Sequence, residues 1–521
     1  MSAARTAATD TTATRSTGAA RRRRAAGAAA LAAVVTAGTA LAAAPAQARP
    51  APAAAPAPAA AAPVPVFRPG SSGVGDPYFP LAGNGGYDAQ HYGLRFSYDP
   101  DTQRLAGSTR MIARTTQDLG SFHLDLLGLR VRSVEVDGVP ARFSRHGQEL
   151  VVRPATGLPK NHLFVTVVRY AGTPKAYTDP DGSIEGFVPT PDGAFVVNEP
   201  VGAMTWFPSN NHPTDKASYY FRVTVPKDRS VQANGVLRSR WVRDGLATYR
   251  WSQRQPISTY LVTTTIGRFE ERTGRTASGL PVYLAVDPAV KGSPWRALSR
   301  TAEITTWETA LIGPYPFSST GGVVDHAPEV GYALESATRP MYDSAPDLLT
   351  VVHELAHQWY GDSVTLATWR DIWLNEGFAT YLEWLWQGRH GGPSAQQSFD
   401  ELYASNEKGA EFWQTPPASP GSGADIFSGP VYERGAMALQ ALRVRMGDRE
   451  FFRLLRVWAS DHRYGTATTA DFIAEAAQVS TRPVGALLRH WLYDKARPAR
   501  PTAAAPAPAG AARLARASGL R

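Results

Sequence analysis

The chain of 521 residues contains no cysteine. That absence excludes disulfide frameworks, cysteine-based zinc fingers, iron–sulfur clusters and thiol nucleophiles, so any metal site must be built from His, Asp or Glu. The body of the chain also lacks an excess of basic charge. The formal charge is +9, but residues 1–50 carry seven Arg and one acid, Asp10, while residues 497–521 carry five Arg and no acid. Between these ends, 42 basic residues face 44 acidic ones. No cationic face is left to neutralise phosphates, which argues against nucleic acid as a partner. The length allows about two to four domains with sizeable cores.

The two ends have their own chemistry. Arg21 to Arg24 precede the apolar run AAGAAALAAVVTAGTALAAA, and Ala46-Gln47-Ala48 follows it. A positive segment, an apolar segment and a small-residue site are the three parts of a secretory signal peptide, here residues 1–48. The run approaches the length of a membrane span, so an uncleaved segment would act as an anchor. Its alanine and glycine make it only mildly hydrophobic, which favours cleavage, a secreted product and no stable membrane insertion afterwards. Residues 49–74 begin with Pro/Ala repeats that cannot bury a core and read as an extended linker. Residues 496–521 repeat that composition and read as a disordered tail.

Between these ends the periodicity changes once. From 75 to 268, short alternating stretches such as YGLRFSYD from Tyr92, HLFVTVVRY from His162 and YYFRVTVP from Tyr219 are separated by Gly, Pro or Asp turns. They predict an antiparallel, sandwich-like β domain. From 269 to 495 helical periodicity takes over in ETALIG, LLTVVHELAHQWYG, FATYLEWLWQGR and GAMALQALRVRMG. The expected fold class is α+β, a β domain followed by a mostly helical one.

The chemistry lies in the second domain. Residues 353–357 spell His-Glu-Leu-Ala-His within an apolar stretch from Leu348 to Tyr360, with Ser344 and Asp347 as a capping pair and Gly361 at the far end. On a helix His353 and His357 project from one face and grip one ion, with Glu354 beside it. Glu376, 19 residues after His357 at the start of the next predicted helix, supplies a third ligand. With 11 His in the chain, a chance match to this motif has a probability on the order of 1%. Two imidazoles and a carboxylate suit Zn2+, one per chain. Such an ion acidifies a water molecule and polarises a carbonyl, and Glu354 is placed to take the water's proton and deliver it to a leaving amine.

The segment HELAHQWYGDSVTLATWRDIWLNEGFATYLEWLW, residues 353–386, resembles the zinc-binding core of the gluzincin aminopeptidases related to aminopeptidase N. The likeness extends to ETALIGPYPF from Glu308, FPSNNHPTDKASYYFRVTVP from Phe207, ANGVL from Ala233 and STYL from Ser258, and covers roughly residues 75–495. It implies a thermolysin-like catalytic domain and a secreted zinc aminopeptidase of the short two-domain type. Gly331-Tyr332-Ala333-Leu334-Glu335-Ser336 is similar to the family's G-A-M-E-N motif. The resemblance assigns Glu335 to the substrate's α-amine and Gly331 and Ala333 to pairing with its backbone. Tyr332, Leu334 and Ser336 stand where the family has Gly, Met and Asn, which alters the first pocket. Glu199 matches an acid that also meets the amine, and Tyr432 in PVYERGAMAL matches the tyrosine that steadies the oxyanion, with Arg434 where the family has Lys. Compared with long members, the chain stops soon after the catalytic helices, which implies a more open cleft.

The expected partners are peptides with a free N-terminus; no signal for a particular oligomeric state is present. Two other readings use the same residues. A thermolysin-like endopeptidase would keep the zinc chemistry, and only Glu335 and Glu199 argue against it. A secreted binding protein would keep the fold without catalysis, and the intact Glu354 and ligand set argue against that. Asp362 is equally readable as support for a ligand or as a helix-end acid, and the aromatic stretch from Tyr381 to Trp386 reads as core packing.

Overall fold

The computed structural model describes residues 66–502. The expected signal peptide, most of the Pro/Ala linker and residues 503–521 lie outside the described residues.

Alternation of period two builds the first domain. In the strand Lys216–Pro226 the residues Ala217, Tyr219, Phe221, Val223 and Val225 point inward while their neighbours stay partly exposed. This strand lies within an eight-stranded sheet whose order is Val236–Arg243, Leu246–Ser258, Lys216–Pro226, Tyr87–Asp99, Arg104–Thr115, Leu163–Gly172, Arg130–Val136 and Val139–Pro140. A four-stranded sheet and a five-stranded sheet pack on its inner face. Tyr87 of the large sheet meets Phe122 of the four-stranded one at 5.6 Å between ring centroids, and Tyr98 meets Phe187 of the five-stranded one at 4.9 Å. The antiparallel expectation holds for every neighbouring pair of the large sheet but one. Tyr87–Asp99 and Lys216–Pro226 run parallel, because the chain between them detours through the other sheets instead of turning back in a hairpin.

The second domain opens with a mixed five-stranded sheet in the order Glu270–Arg275, Pro281–Val286, Thr320–Val324, Met341–Tyr342 and Ala333–Leu334. Its helices are α1 (Pro294–Leu298), α2 (Thr301–Ile312), α3 (Leu348–Ala356), α4 (Trp373–Arg389), α5 (Ala395–Ser405), α6 (Gly429–Met446), α7 (Asp448–Asp461), α8 (Thr469–Val479) and α9 (Gly485–Tyr493). None of the described helices is long and apolar enough to cross a membrane. The helix bearing the His-Glu-x-x-His motif differs from the sequence expectation at both ends. Asp347 alone caps α3, accepting from Thr350 N at 2.8 Å, while the Ser344 hydroxyl bonds to Asp343. Regular α-helix stops at Ala356, and the bonds from Gln358 N to Leu355 O and from Trp359 N to Ala356 O tighten the last turn.

Helices α3, α4 and α6 pack in succession. The α4–α6 crossing is unusually close because two glycines face each other: a β-carbon on Gly377 would lie 2.9 Å from Gly435 Cα. Beyond α9, residues 496–502, which the sequence assigns to the tail, run against the domain. The Tyr403 hydroxyl donates to Pro498 O at 2.9 Å, and the guanidinium of Arg497 lies 3.7 Å from the Tyr403 ring centroid. Residues 66–74 likewise contribute a short strand, Arg68–Pro69, beside Leu119–Asp125.

The glycine contact generates a prediction. Gly377→Ala should lower stability by about 1–2 kcal/mol, because forcing the helices apart costs more than the ~1 kcal/mol that alanine adds in helix propensity. The midpoint of urea unfolding measures this.

Candidate active site

Spacing on α3 places the two histidines. His353 and His357 are one turn apart, with ring centroids 4.7 Å from each other. Glu376 enters from the first turn of α4, its Oε2 lying 3.1 Å from His353 Nε2 and 3.4 Å from His357 Nε2. The three donor atoms fall within 4.8 Å of one another. Each imidazole is oriented from behind: His353 Nδ1 is 2.6 Å from Glu383 Oε1 and His357 Nδ1 is 3.0 Å from Tyr360 O. An acceptor at each Nδ1 holds a proton there and turns both Nε2 atoms toward the point that Glu376 also faces, where either can donate to its carboxylate or, deprotonated, bind a metal.

The electrostatics are those of a site shaped for positive charge. Glu199, Glu335, Glu354 and Glu376 are all buried around this point. Burial, followed by Glu335, Glu376 and Glu354, pushes Glu199 well above the carboxylate range. Burial lifts Glu354 to about 8 even with both histidines beside it. Burial also opposes ionisation of Glu376, but His357 and His353 outweigh it and hold that carboxyl at about 2. His357 shows the reverse balance, since burial disfavours its charge and Glu335 and Glu376 raise it to about 9. Carboxylates this crowded and this buried need a compensating cation.

Zinc fits the donors. Bonds of about 2.0–2.2 Å to nitrogen and oxygen in a tetrahedron set neighbouring ligands about 3.3 Å apart, which the 3.1 and 3.4 Å separations match. The set is two neutral imidazoles and one carboxylate, with a carboxylate behind one imidazole and a backbone carbonyl behind the other.

The remaining candidates converge from three other segments. The short edge strand Ala333–Leu334 pairs with Met341–Tyr342, and Gly331 N donates to Asp343 Oδ2 at 2.8 Å. Glu199 follows the β-domain strand Ala194–Val197. Tyr432 lies in the first turn of α6, its ring stacked over His353 at 5.9 Å between centroids. Burial, with Glu376 and Glu199 nearby, raises the Tyr432 phenol well above its usual range and keeps its proton on. A cavity of about 360 Å³ is lined by Glu199, Ala333, Glu335, His353, Glu354, His357, Glu376 and Tyr432. A second, of about 330 Å³, adds Gly331 and shares Glu199, Tyr332, Ala333 and Tyr432 with the first. All nine candidate residues therefore line one two-lobed cleft. Oε1 of Glu199 and Oε1 of Glu335 are buried there without a hydrogen-bond partner.

Two residues were missed. Glu383 lies seven positions after Glu376, two helical turns on, so its place on the same face was readable from helical spacing. Gln358 joins α3 to the edge segment, donating to Glu335 O at 3.1 Å and accepting from Thr338 N at 2.7 Å; no sequence signal marks it. The Asp362 carboxylate makes no hydrogen bond to the ligands, both its oxygens being buried and unpaired; only its backbone N reaches one of them, donating to His357 O at 2.9 Å. Tyr381, Trp384 and Trp386 are buried in the core, as expected. Arg434 points away from Tyr432 and binds the carbonyls of Trp413 and Trp491 at 2.9 Å each.

Residues 333–491 match the Peptidase family M1 domain, and residues 88–261 match the Peptidase M1 N-terminal domain. The crystal structure of an M1 zinc metallopeptidase from Deinococcus radiodurans is 30% identical, covers 83% of this chain and 100% of its own, and superposes with a TM-score of 0.77. This chain belongs to the M1 peptidase family. A variant of the Deinococcus enzyme bound to a Tyr-Ser-Ala substrate is 29% identical at the same coverage and TM-score. Bovine glutamyl aminopeptidase is 24% identical over 71% of this chain and 43% of its own length. Probable aminopeptidase 2 of Sulfurisphaera tokodaii is 24% identical over 72% of this chain and 50% of its own. The chain spans about half or less of the curated relatives it matches. Its α+β architecture is that of the two-domain M1 structures, which are those of a zinc metallopeptidase, and the donors of His353, His357 and Glu376 fit the same ion.

The carboxylate behind His353 gives a second prediction. Glu383→Gln should weaken zinc retention by about 10–100-fold, measured by competition with a chromogenic chelator.

Proposed function

We propose that this M1 chain is a zinc aminopeptidase, removing one residue at a time from peptides with a free N-terminus. The observation that carries the reading is the nearness of the unpaired acids to the metal ligands. Donor atoms of Glu199, Glu335 and Glu376 lie within 4.8 Å of one another. In an amino acid, the amine nitrogen is only about 2.5 Å from its own carbonyl carbon. An ammonium held by Glu199 and Glu335 therefore leaves room for a single residue before the metal, which disfavours internal cleavage.

His353, His357 and Glu376 would hold the zinc, which when bound supplies Lewis acidity toward a water molecule and the substrate carbonyl. Glu354 accepts the proton of the attacking water and returns it to the departing amine nitrogen. Its raised proton affinity suits both transfers. Tyr432 keeps its phenolic proton and donates to the carbonyl oxygen as negative charge builds there. Gly331 and Ala333, on the edge segment, offer backbone groups to an extended substrate. Glu335 and Glu199 take the ammonium through charge-assisted hydrogen bonds. The reading includes export: Ala46-Gln47-Ala48 closes a signal segment, so the mature chain would begin at Arg49.

Glu354→Gln should lower kcat by about 10²–10⁴-fold with zinc content unchanged. Glu335→Ala should depress turnover of short free-amine peptides while keeping the metal; loss of zinc would reassign Glu335 as a ligand. The deciding experiment compares a free aminoacyl anilide with its N-acetylated form. Hydrolysis of the free form alone supports the aminopeptidase, and equal rates would make the protein an endopeptidase.

A further inference from the structure

Away from the cleft, three carboxylates meet where the two domains join. Asp192 occupies the hairpin turn between strands Ile184–Pro189 and Ala194–Val197 of the β domain. Asp287 and Asp325 directly follow the parallel neighbours Pro281–Val286 and Thr320–Val324, so both emerge at the same end of the second domain's sheet. One carboxylate oxygen from each lies within 4.8 Å of the others.

Little nearby compensates this charge. Asp192 accepts from Arg268 N at 2.7 Å and from the Thr190 hydroxyl at 3.4 Å, Asp287 from Ala289 N at 2.7 Å, and Asp325 from His326 N at 2.8 Å. The neighbouring guanidiniums of Arg229 and Arg268 pair with Asp228 instead. Asp325 is fully buried and its Oδ2 has no hydrogen-bond partner. Burial, with Asp287 and Asp192 adding repulsion, lifts its carboxyl well above the usual range. A buried carboxylate with an unpartnered oxygen, grouped with two further carboxylates, is the arrangement a cation stabilises.

We propose that Asp192, Asp287 and Asp325 bind Ca2+ at a second metal site. The donors are all hard oxygens, with no imidazole to favour zinc. Calcium forms bonds of about 2.3–2.6 Å in flexible geometry, which span donors this far apart. The half-buried Asp192 leaves one side where water completes the shell. The placement gives the ion a purpose. Asp192 leads through Ala194–Val197 to Glu199, and Asp325 opens the segment that ends at Glu335. One cation would tie together the two segments carrying these acids, one from each domain.

The test uses the full chain, stripped on a chelating resin and reloaded with one equivalent of zinc. Calcium chloride is then followed by isothermal titration and thermal melting. Wild type should bind a single calcium and gain about 2–6 °C in Tm at saturation. Asp325→Asn and the surface-facing Asp192→Asn should each bind none and show no gain while keeping their zinc. Because binding and melting are read without substrate, the outcome is independent of the aminopeptidase reading. Absence of calcium binding by wild type, or an undiminished response in both variants, would overturn the site and leave Asp287 and Asp325 as a pair sharing a proton.

Discussion

The constraint on which this structure turns is the burial of Glu199, Glu335, Glu354 and Glu376 around one point. In a medium of low dielectric, four such groups repel one another and lose the water that would solvate them. What reconciles them is positive charge in three forms: imidazoles that attract protons, a divalent ion, and, in the proposed reaction, the ammonium of a substrate. The shifts run in the directions this predicts, since Glu199, crowded by Glu335, Glu376 and Glu354, is pushed up, while Glu376, between two histidines, is held down. A site of this kind cannot relax by letting its acids drift toward solvent. Its scaffold must hold them against their own repulsion.

That scaffold is a set of short mechanical links. Gly377 lets α6 approach α4 at the residue next to Glu376, which brings Tyr432 over His353. Glu383 holds the back of His353 from the same helix that supplies Glu376. Gln358, one residue beyond His357, bonds to the carbonyl of Glu335. The turn that follows α3 is thus bonded to the segment that carries Glu335, and displacement of one element is felt by the other.

How much of this was legible depended on sequence distance. Glu376 was readable because the connection between the two helices lets α4 pack back against α3, and the His-Glu-x-x-His motif because helical periodicity converts spacing directly into geometry. The same logic reaches Glu383, two turns past Glu376. Alternation in stretches such as YYFRVTVP located the β domain, but not the parallel pairing of Tyr87–Asp99 with Lys216–Pro226, which depends on the route of more than a hundred intervening residues. The end of α3 was overestimated because the apolar pattern continues to Tyr360, while Gly361, at a φ of 134°, turns the chain aside. Residues 496–502 read as tail by composition, yet Arg497 and Pro498 find Tyr403. Gln358, and the meeting of Asp192 with Asp287 and Asp325, leave no local trace, since only the tertiary fold joins those segments.

Tyr332 shows how a departure from a family pattern acquires meaning in three dimensions. Where the resemblance to the G-A-M-E-N motif implies glycine, this chain places a phenol whose hydroxyl donates to Ile184 O in the β domain at 3.1 Å. The same side chain lines both lobes of the cleft. The substitution therefore adds a wall and fastens it to the opposite domain, next to the backbone of Ala333. A small residue there would remove the tie from Tyr332 to the strand Ile184–Pro189. With Tyr332 in place, the border between the lobes is set by contacts from both domains, and the lobe away from the histidines is bounded by Asp181, Ser183 and Phe427. In the proposed reaction, the first side chain of a peptide would meet this border, which is set by how the two domains meet at Tyr332 and lies outside the metal motif altogether.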